Sequence, residues 1–441
     1  MNSSEQMILS RRAFLGLTTL ATGAAVTGCA TNPVTGRRQF MFVSTANELA
    51  IDRQHAPHQF SADYGAMQDV RLQQYLQEVT DNLGAHVHRK DMPYGTTGLY
   101  ASYVNGYTFP AGTIGLTRGI IAELEDEAAL AALIGHEMGH VNARHAARRM
   151  TSQVMTSLVL GVGAAVLLRD ERYAPLVLGI GAIGAGALLA RYSRENEREA
   201  DQLGMDYMVA AGYTPNGMID LMDMLRSMER RKPGALELMF ATHPMSEERY
   251  ETAVRRSERT YAAQRTARTG RERYMDMTSS IRAQKPMLSA LQDGDSAMRN
   301  RKWDDAEGHY TSALQQTPDD YEGLLKMAQC RVAQEKLDDA ATRIARAREV
   351  YPEEPLSYQL GGLVALRRGR YEEAHHDFSH YLNVLPGNPL TLFYDGRSLE
   401  GMGRREDAAT RYRSFLQQVS TGSEAEYARQ RLEEWGMANA V

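Results

Sequence analysis

The sequence of 441 residues lacks several features that often decide the class of a protein. It has only two cysteines, too few for a disulfide framework. Its 50 lysine and arginine residues stand against 55 aspartate and glutamate residues, a formal net charge of −5. This balance gives neither the basic excess typical of nucleic-acid binding nor the acidic runs typical of disorder. The length and ordinary composition predict a folded protein of about three domains.

Long apolar runs are also missing. The two most apolar stretches, residues 154–168 and 175–190, are rich in Gly and Ala and are separated by the charged run RDER. Each has about 15 residues, whereas a membrane span needs about 20. We expect a helical hairpin whose small residues let its arms pack closely. The hairpin would be buried in the fold, or would contact the membrane surface or a client protein.

Residues 1–28 have the composition of an export signal. The run SRRAFL from Ser10 to Leu15 resembles the twin-arginine signature, and a modest apolar segment follows it. The segment ends in VTGC, which resembles a bacterial lipoprotein box and implies cleavage before Cys29 and lipidation of its thiol. A Sec signal, or a signal peptide followed by a coincidental cysteine, is the alternative.

Lipidation of Cys29 would leave Cys330 as the last thiol, which excludes a disulfide within the mature chain. Residue 30 is Ala30 rather than the aspartate that commonly keeps lipoproteins at the inner membrane. By resemblance to known sorting signals, we expect a lipid-anchored protein at the outer membrane, facing the periplasm.

The most informative stretch is LIGHEMGH, which contains the pattern H-E-x-x-H. Residues 123–149 lack proline and are rich in strong helix formers, which predicts one long helix. On a helix, His136 and His140 share a face and can bind one metal ion together. Glu137 lies about 100° around the helix, within reach of a water on that ion. A catalytic zinc takes three protein ligands, so a third must come from elsewhere.

The third ligand is not found in the same helix. Ala143 and Ala146 rule out the elongated H-E-x-x-H-x-x-G-x-x-H form, and His145 is turned off the ligand face. A second helical segment, SRENEREAD, places Glu197 and Asp201 four residues apart on one face. One carboxylate can bind the metal while the other accepts the spare N–H of a ligating histidine. Taken alone, such an acidic segment is more typical of a solvated helix face.

The two motifs in this order resemble the BepA/HtpX-type zinc metallopeptidases, a gluzincin family, and the resemblance covers over half of the chain. It implies a mainly α fold with a small β-sheet around the zinc. By this resemblance the ligands of one Zn²⁺ per chain are His136, His140 and Glu197. It further implies that Glu137 is the general base and that Asp201 supports a ligand.

A β-like stretch precedes the H-E-x-x-H helix and ends in Gly112, Thr113, Ile114 and Gly115. The two glycines would let another backbone approach closely, and in gluzincins an edge strand here pairs with extended substrate. We therefore expect these residues to form the substrate edge strand, with an ordinary buried turn as the alternative. Pairing through the backbone would favour unfolded protein substrates.

His243 lies in the loop ATHPMSEER, before a helix that Ser246 is expected to cap. The family that the chain resembles carries a His-Pro in this region. Near the zinc, His243 would stabilise the oxyanion or occupy the fourth metal position as a switch. Otherwise it is a histidine of a surface loop. Arg249 is expected to pair with a carboxylate.

An internal repeat of 34 residues fills the C-terminal part. It keeps alanines, prolines and small residues in register: Ala306, Ala340, Ala374, Ala408; Pro318, Pro352, Pro386; Gly294, Ala328, Gly362, Gly396. This pattern is typical of tetratricopeptide repeats, which stack helix pairs into a solenoid whose concave face binds peptides or partner proteins. Four units are expected, followed by a capping helix.

These observations predict four segments. They are a signal peptide (1–28), a zinc metallopeptidase domain (29–265), a helical connector (266–285) and an α-solenoid of tetratricopeptide repeats (286–436). The expected function is that of a cell-envelope metalloendopeptidase that degrades misfolded or stalled outer-membrane proteins. Its partners would be unfolded or misassembled substrates, a protein on the repeats and the membrane through the lipid, with no nucleic acid. The rival is a periplasmic chaperone or assembly scaffold with a latched or secondary peptidase.

Overall fold

The computed structural model describes residues 29–160 and 191–438, which are mostly helical. The strands are β1 (Cys29–Thr31), β2 (Arg38–Phe40), β3 (Gly95–Leu99), β4 (Gly106–Thr108) and β5 (Thr113–Thr117). The helices before the repeats are α1 (Thr45–Ala62), α2 (Val70–Gly84), α3 (Arg118–Glu123), α4 (Glu127–Asn142), α5 (His145–Leu160), α6 (Arg194–Ala210), α7 (Asn216–Arg231), α8 (Glu237–Thr242), α9 (Glu247–Arg259), α10 (Arg271–Met277) and α11 (Ser279–Ala283).

Some predictions fall outside the described residues. The signal peptide lies there, and so does the apolar hairpin except for its first residues, which belong to α5. Within the described ranges, no helix combines the length and apolarity that a membrane crossing requires. Residues 29–40 form a short antiparallel hairpin in which Cys29 pairs with Phe40.

The prediction of a substrate edge strand at residues 112–115 is wrong. In the three-stranded sheet the order is β3-β5-β4, so β5 is the central strand. Its two edges are taken by β3, which runs parallel, and by β4, which runs antiparallel. The glycines serve other purposes. Gly112 has a φ of +106° in the turn before β5, and a Cβ on Gly115 would lie 2.6 Å from the Tyr107 ring.

The single long helix expected over residues 123–149 is also wrong. The chain forms α3, α4 and α5 instead, and Asp126 starts α4 by accepting a hydrogen bond from the Ala129 backbone N–H. Arg144 ends the helical run because its φ is +55°, a left-handed conformation. The buried carboxylate of Glu48 holds the Arg144 guanidinium at 3.0 Å. The break redirects the chain directly after the H-E-x-x-H motif.

Helix α4 is the centre of the N-terminal region, and all of its residues are buried. Small residues let α6 approach it closely. A Cβ on Gly135 would lie 2.9 Å from the Gly204 carbonyl oxygen, and one on Gly139 would lie 2.9 Å from the Cα of Ala200. The two helices that carry the sequence motifs therefore pack backbone against backbone.

The C-terminal region confirms the predicted helical repeats. Its helices are α12 (Lys285–Arg299), α13 (Trp303–Gln316), α14 (Tyr321–Ala333), α15 (Leu337–Val350), α16 (Leu356–Arg367), α17 (Tyr371–Val384), α18 (Pro389–Gly401), α19 (Arg405–Leu416) and α20 (Ser423–Glu434). The 34-residue repeat places glycines where helices pack closely, because each glycine of the small-residue position faces an aromatic side chain of the next helix. Gly362 lies under Phe378, and Gly396 lies under Tyr412.

The repeats pack directly against the N-terminal region through a buried ionic junction. The guanidinium of Arg118 lies 2.6 Å from Asp320 and 2.8 Å from Glu322, and all three side chains are buried. Glu322 also accepts hydrogen bonds from the backbone N–H and hydroxyl of Ser102. Part of the surface of α14 is therefore covered by the chain's own N-terminal region rather than open to a partner.

Candidate metal centre

The close packing of α4 on α6 brings the two sequence motifs together. The Nε2 atoms of His136 and His140 lie 3.1 Å apart. The carboxylate of Glu197, in the first turn of α6, reaches both rings, at 3.6 Å from His136 Nε2 and 3.4 Å from His140 Nε2. All three side chains are buried.

His243 joins this group from the loop after α8. Its Nδ1 lies 3.4 Å from His136 Nε2 and 3.2 Å from a carboxylate oxygen of Glu197. The nitrogen and oxygen donors of the four residues all lie within 4.8 Å of one another. Imidazole nitrogens with one carboxylate are a donor set that suits zinc, and three of the donors come from the two helices. His243 is therefore not a histidine of the surface.

Glu137 points at this group without joining it. It is fully buried, and neither of its carboxylate oxygens has a hydrogen-bond partner among the described residues. The Nε2 atom of His243 lies 3.7 Å from one of these oxygens. An unpaired buried carboxylate is costly, so it is expected where a ligand or substrate completes the contacts. The residues present therefore fit a metal and its water.

The surroundings of Glu137 and Glu197 shift the pKa values of the two carboxyl groups in opposite directions. Burial raises the pKa of Glu137 above its usual value. Burial would also raise the pKa of Glu197, but the neighbouring His243 and His140 hold it well below its usual range. Glu197 is thus kept ionised, as a metal ligand requires, whereas Glu137 is tuned upward, as a proton carrier requires.

The far side of His136 is held by a carboxylate and an arginine. Its Nδ1 lies 2.9 Å from Asp201, one turn along α6 from Glu197. The Arg249 guanidinium donates two hydrogen bonds of 2.7 Å to Asp201 and lies 2.8 Å from Glu197. Ser246 caps α9 and so places Arg249 in its first turn. The carboxylate–histidine arrangement expected from the spacing is present around His136.

Sequence reasoning missed two neighbours of His140. His145 lies with its Nδ1 2.8 Å from His140 Nδ1, and the Tyr192 ring stacks on His140 at 3.9 Å between ring centroids. In a continuous helix the side chain of His145 would point away from the site, but the left-handed backbone of Arg144 interrupts the helix. Burial lowers the pKa of His145, which favours its neutral form. No spacing signal in the sequence pointed to Tyr192.

Comparison with known proteins places this geometry in context. Residues 69–257 match the family model described as Peptidase family M48, a range that encloses both motifs. Residues 297–361 match the model described as Tetratricopeptide repeat.

Three curated relatives illustrate the similarity. The putative beta-barrel assembly-enhancing protease of Vibrio cholerae is 30% identical over 182 residues, covering 40% of this chain and 37% of that protein. The beta-barrel assembly-enhancing protease of Yersinia pestis is 23% identical over 399 residues, covering 83% and 81% respectively. The mitochondrial metalloendopeptidase OMA1 of Schizosaccharomyces pombe is 27% identical over 223 residues, covering 49% and 63%.

Proposed function

We propose that this chain is a zinc-dependent metalloendopeptidase of the bacterial cell envelope. It carries a peptidase family M48 domain followed by tetratricopeptide repeats. The observation that carries the proposal is the buried donor group of His136, His140 and Glu197 beside the unpaired carboxylate of Glu137. These three donors would hold one Zn²⁺ per chain. When bound, the zinc supplies Lewis-acid polarisation and lowers the pKa of a water.

The protein's own residues carry the proton transfers. Glu137 takes the proton of the attacking water and returns it to the leaving nitrogen, because its oxygens are unpaired and its pKa is raised by burial. Burial would lower the pKa of His243, but Glu197 and Glu137 raise it overall. A ring N–H of His243 would donate a hydrogen bond to the developing oxyanion. In the alternative role, its ring takes the fourth metal position as a switch.

The proposed substrates are misfolded or stalled outer-membrane proteins, degraded in quality control. The relatives' printed name, beta-barrel assembly-enhancing protease, supports this class. A protein partner would bind the repeats away from the surface of α14 that the junction covers. We further propose export by a twin-arginine or Sec signal in residues 1–28. Lipid attachment at Cys29 would then hold the protein at the outer membrane, facing the periplasm.

We propose the domain division 29–265, 266–285 and 286–436, with one qualification from the contacts. Tyr274, in the connector, donates a hydrogen bond of 2.5 Å to the Ile121 carbonyl oxygen and is fully buried. Helix α10 of the connector therefore contacts the peptidase domain and is not a free linker.

A chaperone or assembly scaffold with a latched peptidase is the second candidate. The observation that favours it is the position of His243, which already lies within the donor group and could hold the fourth position closed. The two candidates differ in their response to Glu137→Gln. A scaffold role survives this change, whereas a protease role does not.

The first experiment is cleavage of casein by the purified mature chain, with and without a chelator, together with a zinc determination. One zinc per chain and chelator-sensitive cleavage are expected. Bound zinc without cleavage would favour the latched scaffold, and His243→Ala should then release activity. No bound zinc would overturn the enzymatic proposal.

A further inference from the structure

We propose that His145 is a positioning residue that fixes the orientation and tautomer of His140 for metal binding, and that Glu199 and Arg148 complete this support. The inference rests on the proposed role of His140 as a metal ligand. It concerns the ring nitrogen of His140 that faces away from the donor group.

The geometry forms a continuous chain of contacts. His140 turns Nε2 toward the donor group, so its Nδ1 faces His145 Nδ1 at 2.8 Å. The other nitrogen of His145, Nε2, lies 3.0 Å from a carboxylate oxygen of Glu199. Arg148 donates a hydrogen bond of 2.8 Å to that same oxygen. The chain thus runs from a fully buried imidazole pair to a carboxylate that is partly exposed.

Only one arrangement of protons satisfies every contact of this chain with neutral rings. A metal-binding Nε2 needs its lone pair, so the proton of His140 sits on Nδ1 and is donated to His145 Nδ1. The single proton of His145 then sits on Nε2 and is donated to Glu199, which accepts. The carboxylate at the end of the chain therefore determines which nitrogen of His140 is available to the metal.

The two ligand histidines are supported in parallel ways. His136 meets a carboxylate directly, Asp201, which Arg249 holds in place. His140 reaches its carboxylate, Glu199, through one intervening imidazole, and Arg148 holds that carboxylate. Partners of this kind orient ligating histidines in metal sites, and their loss typically lowers metal affinity by about 10–100-fold.

The backbone is built to allow this contact. Arg144 adopts a φ of +55° and turns the chain so that His145, the first residue of α5, faces back toward α4. The side chain of Arg144 is itself buried and held by Glu48. The break between α4 and α5 therefore places an imidazole where a continuous helix could not.

The test uses two replacements in the purified full chain, one close to the imidazole in volume and one smaller but able to accept a hydrogen bond. His145→Leu fills the space without an acceptor, whereas the side-chain oxygen of His145→Asn can accept the proton of His140 Nδ1. Zinc affinity is measured by competition with a chelating indicator. We expect a loss of roughly 10–100-fold for His145→Leu and recovery of most of it by His145→Asn. Glu199→Gln, at the exposed end, tests the chain without disturbing the core and should give a smaller loss.

His375→Ala is the matched control, because it removes an imidazole that contacts Asp395 at 2.6 Å within the repeats. Its zinc affinity should equal that of the wild type. Equal losses for His145→Leu and His145→Asn would show that His145 only fills space and would overturn the inference. Unchanged affinity in His145→Leu and Glu199→Gln would overturn it as well. A wild-type chain that binds no zinc would overturn the proposed function itself, which separates the two failures.

Discussion

Two groups of buried carboxylates, one at the junction with the repeats and one at the metal centre, differ sharply in their surroundings. At the junction with the repeats, Asp320 and Glu322 both form ion pairs with the guanidinium of Arg118. Glu322 also accepts a hydrogen bond from the Ser102 hydroxyl. At the metal centre, Glu137 is equally buried but receives no hydrogen bond from any described residue. Because burial of a charge is tolerable only with partners, the first group joins two regions and the second is held ready for a ligand.

Buried carboxylates with and without hydrogen-bond partners have different roles in this molecule, one structural and one chemical. A buried carboxylate with hydrogen-bond partners helps to hold the folded regions together, and its removal should lower the free energy of unfolding. An unsatisfied one stores unfavourable energy in the folded state, and its removal should lower activity while raising the stability of the metal-free protein. The following variants test that distinction, in order of decreasing effect.

Glu137→Gln should reduce casein cleavage by about 10²–10⁴-fold, because the amide cannot carry the proton. Zinc content should stay at the wild-type level, since the donor group excludes Glu137. The metal-free variant should unfold at a higher urea concentration than the wild type, because a neutral side chain replaces an unpaired buried carboxylate.

Glu322→Gln is the matched control at the junction, where the carboxylate is also fully buried but well partnered. It should lower the free energy of unfolding and leave cleavage per folded molecule unchanged. Cleavage by Glu137→Gln at the wild-type rate would remove the general-base assignment and with it the contrast between the two groups.

Arg118→Met should destabilise the protein by about 3–5 kcal/mol in urea unfolding, because it leaves two buried carboxylates without their shared cation. The exposed pair of Arg71 and Asp276 supplies the comparison, since both side chains are about two-thirds exposed. Arg71→Met should cost less than about 1 kcal/mol. Similar losses for the two variants would contradict a special role of the junction.

The buried carboxyl group of Asp63 should make the stability of the protein depend on pH. Burial raises its pKa to about 6, although Tyr103 and Tyr107 donate hydrogen bonds to it. A raised folded-state pKa gives stability that is complete below the unfolded value near 3.8 and is lost as the pH rises through about 6. Between pH 4 and pH 7.5 the wild type should lose roughly 2 kcal/mol relative to Asp63→Asn. Parallel pH profiles in urea unfolding would refute the assignment.

In the repeats, away from the junction and the metal centre, we expect stability to depend on side-chain volume rather than on side-chain charge. A Cβ on Gly362 would lie 2.6 Å from the Phe378 ring, so Gly362→Ala should cost about 1–3 kcal/mol. Gly308 lies in α13 with no described atom within 4 Å of such a Cβ, and Gly308→Ala should stabilise by up to about 1 kcal/mol. Thermal unfolding of the two variants checks the signs, and shifts in the same direction would contradict this dependence on volume.

Much of this architecture was predictable because it follows from local spacing. The 34-residue register determined the repeats, and the four-residue spacings of His136 with His140 and of Glu197 with Asp201 correctly anticipated shared helix faces. The failures came from tertiary effects. Pairing of β5 on both sides removed the expected edge, and a left-handed Arg144 broke the long helix and brought in His145. Neither effect leaves a periodic signal in the sequence.

The most direct test of the central claim is an anomalous difference map at the zinc absorption edge, from crystals of the purified chain. We expect one peak per chain, bounded by the Nε2 atoms of His136 and His140 and by the carboxylate of Glu197, with Glu137 beside it but not bound. A peak elsewhere, or a peak bound by Glu137 in place of Glu197, would contradict the proposed metal centre.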